Sequence, residues 1–446
     1  MNKSDLLTVI LGLLMFTLEG INYSIVAPFF PLEAAQKETS KSIIGFVIST
    51  YDIAAALTPI VLSNFIDHYN KRFIFLAGTL MGSVAVILFG ILCYSPPGAQ
   101  FYLSAIALRF VSGMGSGMVW SAGYPLLVSV NYAWTNMIII GWEITIALGI
   151  ALGPPIGSIL YSIDGFPLPF YVIGTTEFIA TLLFVFIMPS KTNHNSGKEE
   201  RPNLKKFLKF FVHPAVLIIS FISMCNSAMF AVMDTILSPY LVKTFGIQQN
   251  SNGFIFSFMA IGYLAATVFG TGINKGLGTY IFLTGAIFSM FGTLLFILQE
   301  WINALANIPI VLTALFFIGL GDCTSGIASY VIVENTALRY KILSLQNIKL
   351  ICSIWTSCTF SLGRIYGAAV IGGLIYGNFG MFTTFKTSLA MQFGIFLLNV
   401  LTFLLSGFFK RIYLTLPDDE VKTAFHKSMV ISKSTKEERV HLIKES

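Results

Sequence analysis

The chain has 446 residues, of which 55% are hydrophobic and only 11% are charged, and its mean hydropathy is +0.79. This composition lies far from that of soluble domains and excludes a soluble globular fold. The net charge of +6 reflects 27 basic residues against 21 acidic ones. The five cysteines form no CxxC pair, so we expect neither a disulfide framework nor a metal site.

Twelve apolar stretches are long enough to cross a bilayer, which takes roughly 20 residues. We therefore predict an all-α membrane protein with twelve transmembrane helices in two six-helix bundles. The predicted spans, numbered 1 to 12, are 6–30, 43–66, 73–94, 101–129, 137–160, 168–189, 214–242, 253–273, 279–298, 308–334, 346–376 and 385–409. Span 1 is longer than the core of a cleaved signal peptide, so we interpret it as a retained helix.

The longest polar break divides six spans from six. It predicts an N-terminal bundle over 1–189, a cytoplasmic linker over 190–213, a C-terminal bundle over 214–413 and a cytoplasmic tail over 414–446. Two six-span halves are the layout of transporters built from repeated bundles, which bind substrate between the halves.

Lysine and arginine are distributed unevenly between the two faces that these spans imply. One face carries 21 of them and the other four, while Arg109 and Arg364 lie within spans. Because cytoplasmic loops carry the excess of positive charge, we expect both termini in the cytoplasm. The positive net charge is thus a topology signal, and we expect no nucleic-acid partner.

Span 5 carries a series of small residues within GIALGPPIGSILY. Gly149 and Gly153 lie four residues apart on one helix face, which lets a neighbouring backbone come close, and Gly157 continues the series. Pro154 removes a backbone donor and predicts a bend. Span 11 repeats the small-residue run without prolines, so we expect the bend in span 5 only. The spacing GxxxGPxxG resembles the antiporter motif of the major facilitator superfamily, with Ser158 where a second glycine is usual.

Two further elements resemble the same superfamily. The loop SNFIDHYNKRF matches a superfamily motif at Asp67, Lys71 and Arg72, with Asn70 in place of a glycine, which predicts a left-handed turn there. An aspartate and a basic cluster at this position predict a latch across the cytoplasmic mouth. Span 4 carries LRFVSGMGSGM, in which Arg109 and the following glycines match a second motif. A charge inside a span is expected to face the bundle interior and a partner.

Other stretches resemble the vesicular amine transporter family, and its polyamine-transporting branch most of all. They are YSIVAPFFPLEA from Tyr23, IIGF from Ile43, LGPPIGSILY in span 5 and DTILSPYL from Asp234. The short first lumenal loop, about 31–42, also resembles that branch. The resemblance implies transport of amines from the cytosol into vesicles.

Seven acidic residues lie in or near the spans: Glu19, Asp52, Glu143, Glu177, Asp234, Asp322 and Glu334. A carboxyl group buried away from water favours its protonated form and can exchange a proton. If the deprotonated group also binds a cation, proton and cation compete, and alternating access converts this competition into antiport. Glu177 we interpret as a residue that pairs locally. Tyr23, Tyr51 and Trp142, beside the polar groups, are candidates for cation–π walls.

The predicted residues fall into two groups. For substrate binding and proton coupling they are Glu143 and Asp234, which lead, with Glu19, Asp322 and Arg109. Arg109 is the expected partner of one leading acid. For conformational gating they are Asp67, Lys71, Arg72, Gly149, Gly153, Pro154 and Gly157. No nucleotide-binding, metalloprotease or hydrolase motif occurs, so we predict a carrier and not an enzyme, with no cofactor beyond a proton gradient.

The substrate class and the membrane leave alternatives open. We expect a monomer in membrane lipid that carries a small organic cation, a polyamine by resemblance. The alternatives are a drug or organic-solute efflux carrier, a facilitative uniporter at another membrane such as the plasma membrane, and a non-transporting sensor on a transporter fold. In the tail, Glu438, Leu442 and Ile443 match the acidic-dileucine pattern. They predict a sorting adaptor as partner and a vesicular or endolysosomal membrane as location.

Overall fold

A computed structural model describes residues 3–63, 70–130, 135–187, 212, 214–270, 278–302, 307–339, 352, 355 and 358–405. These residues are helical almost throughout, and no strand occurs among them. Asp67 and the tail residues Glu438, Leu442 and Ile443 lie outside the described part of the chain. So does the predicted linker, apart from Val212.

The N-terminal half consists of α1 (Lys3–Ser24), α2 (Val26–Gln36), α3 (Lys41–Ser63), α4 (Lys71–Ile91), α5 (Ala99–Val130), α6 (Thr135–Asp164) and α7 (Pro167–Ile187). The C-terminal half consists of α8 (Pro214–Phe245), α9 (Asn252–Gly270), α10 (Gly278–Trp301), α11 (Ile308–Arg339), α12 (358–365), the π-helical segment Tyr366–Ile375 and α13 (Tyr376–Leu405).

Ten stretches among the described residues are long and apolar enough to cross a membrane. One of them, Cys358–Leu401, has 44 residues, which is enough for two crossings. Its backbone breaks at Gly380, whose φ of +80° suits a residue without a side chain. Helix α10 adds a shorter apolar stretch, Thr284–Gln299. The predicted all-helical membrane fold is confirmed, and twelve crossings are reached when the long stretch counts twice and α10 is included.

The predicted first span is broken into α1 and α2. Pro28 explains the break, because it has no backbone N–H and its ring crowds the carbonyl four residues earlier, that of Ser24. The Ser24 hydroxyl instead donates to the carbonyl of Ile21 at 3.2 Å. The carbonyl of Pro28 accepts a hydrogen bond of 2.8 Å from the Ser238 hydroxyl on α8. The break therefore coincides with a contact between the two halves.

Helix α6 runs without interruption through its prolines, and its glycine face packs on α1. A Cβ atom on Gly149 would lie 2.2 Å from the carbonyl oxygen of Thr17. A Cβ atom on Gly153 would lie 2.1 Å from the hydroxyl of Ser24. Larger side chains would push α1 away, so the glycines let these two backbones touch.

The span 11 region contains a π-helical segment, Tyr366–Ile375, although we expected irregular geometry in span 5 only. Neighbouring backbones contact this segment on two sides. A Cβ atom on Gly367 would lie 2.1 Å from the carbonyl oxygen of Ala228 on α8. A Cβ atom on Gly45 of α3 would lie 2.3 Å from the carbonyl oxygen of Ala368. Glycines at these positions let the backbones of α3 and α8 approach the segment closely.

The two halves are hydrogen-bonded at one end of the bundle, which we call the closed end. It holds residues 28–42, 158, 238–253 and 373–377. The backbone N–H of Gly253 donates to Ser158 Oγ at 2.9 Å, and Gln249 Nε2 donates to the carbonyl of Phe29 at 3.1 Å. Ser158, which departs from the superfamily motif, thus supplies an acceptor for the opposite half.

Candidate functional site

Tyr23 of α1 links the two halves inside the bundle. Its hydroxyl donates to Asp234 Oδ2 on α8 at 3.1 Å. The same hydroxyl oxygen accepts a hydrogen bond from Arg364 Nη1 at the end of α12. Asp234 is only 5% exposed. A tyrosine of the N-terminal half therefore bridges a cation and an anion of the C-terminal half.

Arg364, for which the sequence suggested no role, lies between two aromatic rings. Its guanidinium carbon is 4.8 Å from the ring centroid of Tyr23 and 4.8 Å from that of Phe230. We call Tyr23, Phe230 and Asp234 the arginine cage. The guanidinium interacts electrostatically with three carboxylates, those of Asp52, Asp234 and Asp322. Only the position of Arg364 inside a predicted span signalled it in the sequence.

Asp322 of α11 brings a carboxylate to this site without a hydrogen bond. The residue is 1% exposed, and neither carboxylate oxygen has a hydrogen-bond partner among the described residues. Its charged neighbours are Arg364 and Asp234. Buried polar groups are normally satisfied, because leaving them unpaired is costly. Asp322 is therefore suited to take up a proton or a cation.

Arg109 of α5 lies over the ring of Tyr51 of α3, with 4.4 Å between the guanidinium carbon and the ring centroid. The Tyr51 hydroxyl donates to Glu19 Oε1 at 3.1 Å. Arg109 is 4% exposed, so its charge does not reach water by snorkelling. The arginine that Tyr23 bridges to Asp234 is Arg364, whereas Arg109 stacks on Tyr51.

Glu177 of α7 faces Glu19 of α1. Asn22 Nδ2 donates to Glu177 Oε2 at 2.7 Å. The other oxygens, Glu177 Oε1 and Glu19 Oε2, have no hydrogen-bond partner in the described structure, yet the two carboxyl groups lie within bonding range of each other. Two carboxylates in contact repel each other, so the pair is suited to share one proton. In the sequence, Glu177 has the same feature that singled out Glu143, because each is a lone acid in an apolar span.

Glu143 of α6 lies apart from both arginines. Its electrostatic neighbours are Tyr263 of α9 and Cys323 of α11, and the described residues provide no cationic partner for it. It is partly exposed. The two leading acids therefore lie in different surroundings, because only Asp234 belongs to the hydrogen-bonded chain.

The rings of Tyr23 and Tyr51, both expected as cation–π walls, lie 5.2 Å apart. Each ring stacks against one of the protein's own arginines. Trp142 instead contacts Phe16, with 5.7 Å between ring centroids. The two tyrosines thus join the Arg109 and Arg364 sites into one aromatic cluster.

The basic residues of the predicted latch lie at the start of α4. Asn70 has an extended backbone, with φ of −64° and ψ of 122°, so the left-handed turn expected there is wrong. Its side chain caps the helix by accepting a hydrogen bond of 3.0 Å from the backbone N–H of Arg72. The Arg72 side chain donates to the carbonyl of Val185 on α7. Arg72 therefore ties two helices of the N-terminal half together.

Comparisons with known proteins identify the architecture that holds these residues. Residues 12–348 match the Major Facilitator Superfamily. MFS-type transporter SLC18B1 of Mus musculus is 28% identical over 251 residues, which are 56% of this chain and 54% of the mouse protein. The Homo sapiens protein of the same name is 29% identical over 249 residues, 56% of this chain and 53% of that protein. The chain thus matches about half the length of these relatives.

A solved structure shares the fold over most of the chain. The crystal structure of the nucleoside transporter NupG superposes with a TM-score of 0.67 at 15% identity. The superposition covers 90% of this chain and 99% of NupG. At this identity the likeness concerns the fold alone.

Proposed function

Because the chain belongs to the major facilitator superfamily, we propose that this membrane transporter exchanges lumenal protons for a cytosolic organic cation. The substrate class is polyamines or related amines. The SLC18B1 relatives support this class together with the motifs that resemble the vesicular amine transporters. The family makes the protein a carrier and not an enzyme, and a proton gradient is the driving force in this proposal.

The observation that carries the proposal is the buried acidic and aromatic site that the two halves share. Tyr23 and Asp234 come from opposite halves, and Asp322 adds a carboxylate that has no hydrogen-bond partner among the described residues. An organic ammonium suits such a site, because carboxylates neutralise its charge and aromatic faces attract it. A carrier of neutral solutes that is not coupled to protons has no need for several buried acids, each of which is costly inside a membrane.

Coupling follows if a carboxyl group holds either a proton or the substrate. Glu143 and Asp234 remain the leading groups in the proposal, with Glu19, Asp322 and Arg109 in support. Protons from the lumen release the cation, and deprotonation on the cytosolic side prepares the site for the next one. Lysine and arginine distribution favours cytosolic termini. The closed end then faces the lumen of a vesicle or endolysosome, and the protein acts as a monomer.

Uptake into proteoliposomes tests this function. Vesicles with an acidic interior should accumulate labelled spermidine, and a protonophore should prevent the accumulation. Asp234→Asn and Glu143→Gln keep side-chain shape but remove charge and titration, so each should abolish accumulation. Asp164 is an exposed acid at the end of α6, so Asp164→Asn is the matched control and should leave spermidine accumulation unchanged.

The outcome separates antiport from its alternatives. Accumulation that persists in both central variants, or after the protonophore, would contradict proton-coupled antiport and support a facilitative uniporter. Accumulation of a neutral nucleoside but no amine would contradict the substrate class.

A further inference from the structure

We propose that the Arg364 side chain, a cation tethered to the backbone, occupies the binding position of the substrate ammonium in the empty transporter. It leaves that position when substrate binds. This inference rests on the proposed transport of organic cations. It adds an internal competitor to that mechanism, at a residue outside the predicted binding set.

The surroundings of Arg364 are those that an organic cation needs. Two ring centroids lie 4.8 Å from its guanidinium carbon, and the hydroxyl of Tyr23 joins it to Asp234. A substrate ammonium would be attracted by the same ring faces and by the same carboxylate. The two cations therefore compete for one cage, and they cannot both occupy it.

The charges around Arg364 indicate what the competition between the two cations would achieve. Arg364 interacts electrostatically with three carboxylates, and Arg109 interacts with two of these, Asp52 and Asp234. Three acidic groups against two guanidinium groups leave a negative charge for a cationic substrate, more so when Arg364 has moved away. When substrate leaves and Arg364 is still displaced, Asp322 has no cation near it among the described residues, and a buried carboxylate without a counter-ion is strongly destabilising. Because Arg364 is part of the chain, it returns to Asp322 and Asp234 without diffusing from solution, so the empty carrier changes conformation with less unpaired charge.

The local structure confines the movement to the side chain. A Cβ atom on Gly363 would lie 2.0 Å from the carbonyl oxygen of Met224, and one on Gly367 would lie 2.1 Å from that of Ala228. These contacts fix the backbone on both sides of Arg364 against α8. The Arg364 side chain is partly exposed, whereas Arg109 is buried. Rotation about the bonds of its flexible stem is therefore the way out of the cage.

Equilibrium binding of labelled spermidine to the purified full-length protein is the first test. Arg364→Gln removes the competing charge and keeps a polar side chain. We expect about tenfold tighter binding, as for a lost competitor worth about 1.4 kcal/mol. Accumulation driven by the proton gradient should fall, because the empty carrier lacks its internal counter-ion. The matched control is Lys386→Gln, which removes an exposed cation 4.1 Å from the ring centroid of Phe382 and should change neither quantity.

A second test does not depend on the substrate. Arg364→Ala should leave a cage that accepts methylguanidinium, a free copy of the missing group. Millimolar methylguanidinium chloride should raise the melting temperature of this variant, whereas sodium chloride at the same ionic strength should not. The wild-type protein, whose cage is filled, should not respond.

The outcomes distinguish this inference from the proposed function. If the wild type binds and accumulates spermidine but Arg364→Gln binds it no tighter, the tethered-cation inference is wrong. If the wild type neither binds nor accumulates spermidine, the proposed function fails instead. In that case the methylguanidinium measurement still decides whether the cage accepts a free cation, and equal responses of variant and wild type would overturn it.

Discussion

Glu19 and Glu177 place two carboxyl groups in contact where neither has access to water. Asn22 donates an amide hydrogen bond to the pair, Tyr51 donates a hydroxyl hydrogen bond, and the hydroxyl of Ser116 also lies beside Glu19. The remaining oxygens face each other, which is favourable only when a proton lies between them. The pair therefore combines a structural role, joining α1 to α7, with the capacity to hold a proton.

Glu177→Gln separates these two roles. The glutamine oxygen can still accept from Asn22 and its amide can donate to Glu19, so the variant should fold with an unchanged melting temperature. It cannot exchange a proton, so we expect slower gradient-driven accumulation, whereas exchange of labelled for unlabelled spermidine across the membrane should continue. Glu177→Leu leaves both partners unpaired and should cost about 1–3 kcal/mol of stability per lost partner. Equal melting temperatures for the two variants would contradict the structural role.

At the scale of helices, the sequence predicts where elements lie far better than which faces meet. Bilayer thickness fixes the length of each apolar run, so the spans could be read directly. The helix faces that pack together could not be predicted in this way, because lipid is as apolar as a protein core. On α7, Phe186 is 85% exposed while Phe184 is 1% exposed. Because phenylalanine occurs on both the exposed and the buried face of α7, the hydrophobic periodicity does not show which face packs inward. It therefore could not predict that Glu177 approaches Glu19.

The local breaks were predictable only in part. The break at Ser24 follows from the chemistry of Pro28. The length of the apolar run alone, however, predicted one span where the structure has α1 and α2. The π-helical segment has no proline to signal it, and the backbones of α3 and α8 that pack against it are distant in sequence. The position of Arg364 depends on that segment and on α8, so its cage could not be inferred from span 11 alone.

The contact between α6 and α1 yields a prediction for Gly149. Gly149→Ala would place a methyl group 2.2 Å from the Thr17 carbonyl oxygen, which cannot move without moving α1. We expect a loss of about 1–3 kcal/mol of stability from overpacking and a clear loss of uptake. Gly394→Ala on α13 is the matched control, because nothing lies within 4 Å of its added Cβ. It should be neutral or stabilising by up to about 1 kcal/mol. Melting temperatures in detergent would measure both, and equal values would contradict the close packing.

For the molecule as a whole, the closed end must open if the carrier works by alternating access. Its contacts include several hydrogen bonds between the halves, such as those from Gly253 to Ser158, from Gln249 to Phe29 and from Ser238 to Pro28. Bonds of this kind can be exchanged for water at modest cost. The arginine cage is also built from both halves, so a rearrangement that separates them there would break the bond between Tyr23 and Asp234. In the proposed transport cycle, opening of the closed end is therefore linked to a change at the arginine cage.

A disulfide across the closed end tests this link. An ideal Cβ atom on Gly377 lies 2.9 Å from Ser42 Oγ, and bond lengths put a Cβ atom about 3 Å from the partner sulfur of a disulfide. The double variant Ser42→Cys/Gly377→Cys should therefore cross-link α3 to α13 on oxidation. We expect gradient-driven uptake to fall to background, because the end cannot open, and to return on reduction. Each single variant under the same oxidant is the control for the native cysteines. A cross-linked protein that transports at the wild-type rate would show that the closed end does not take part in the transport cycle.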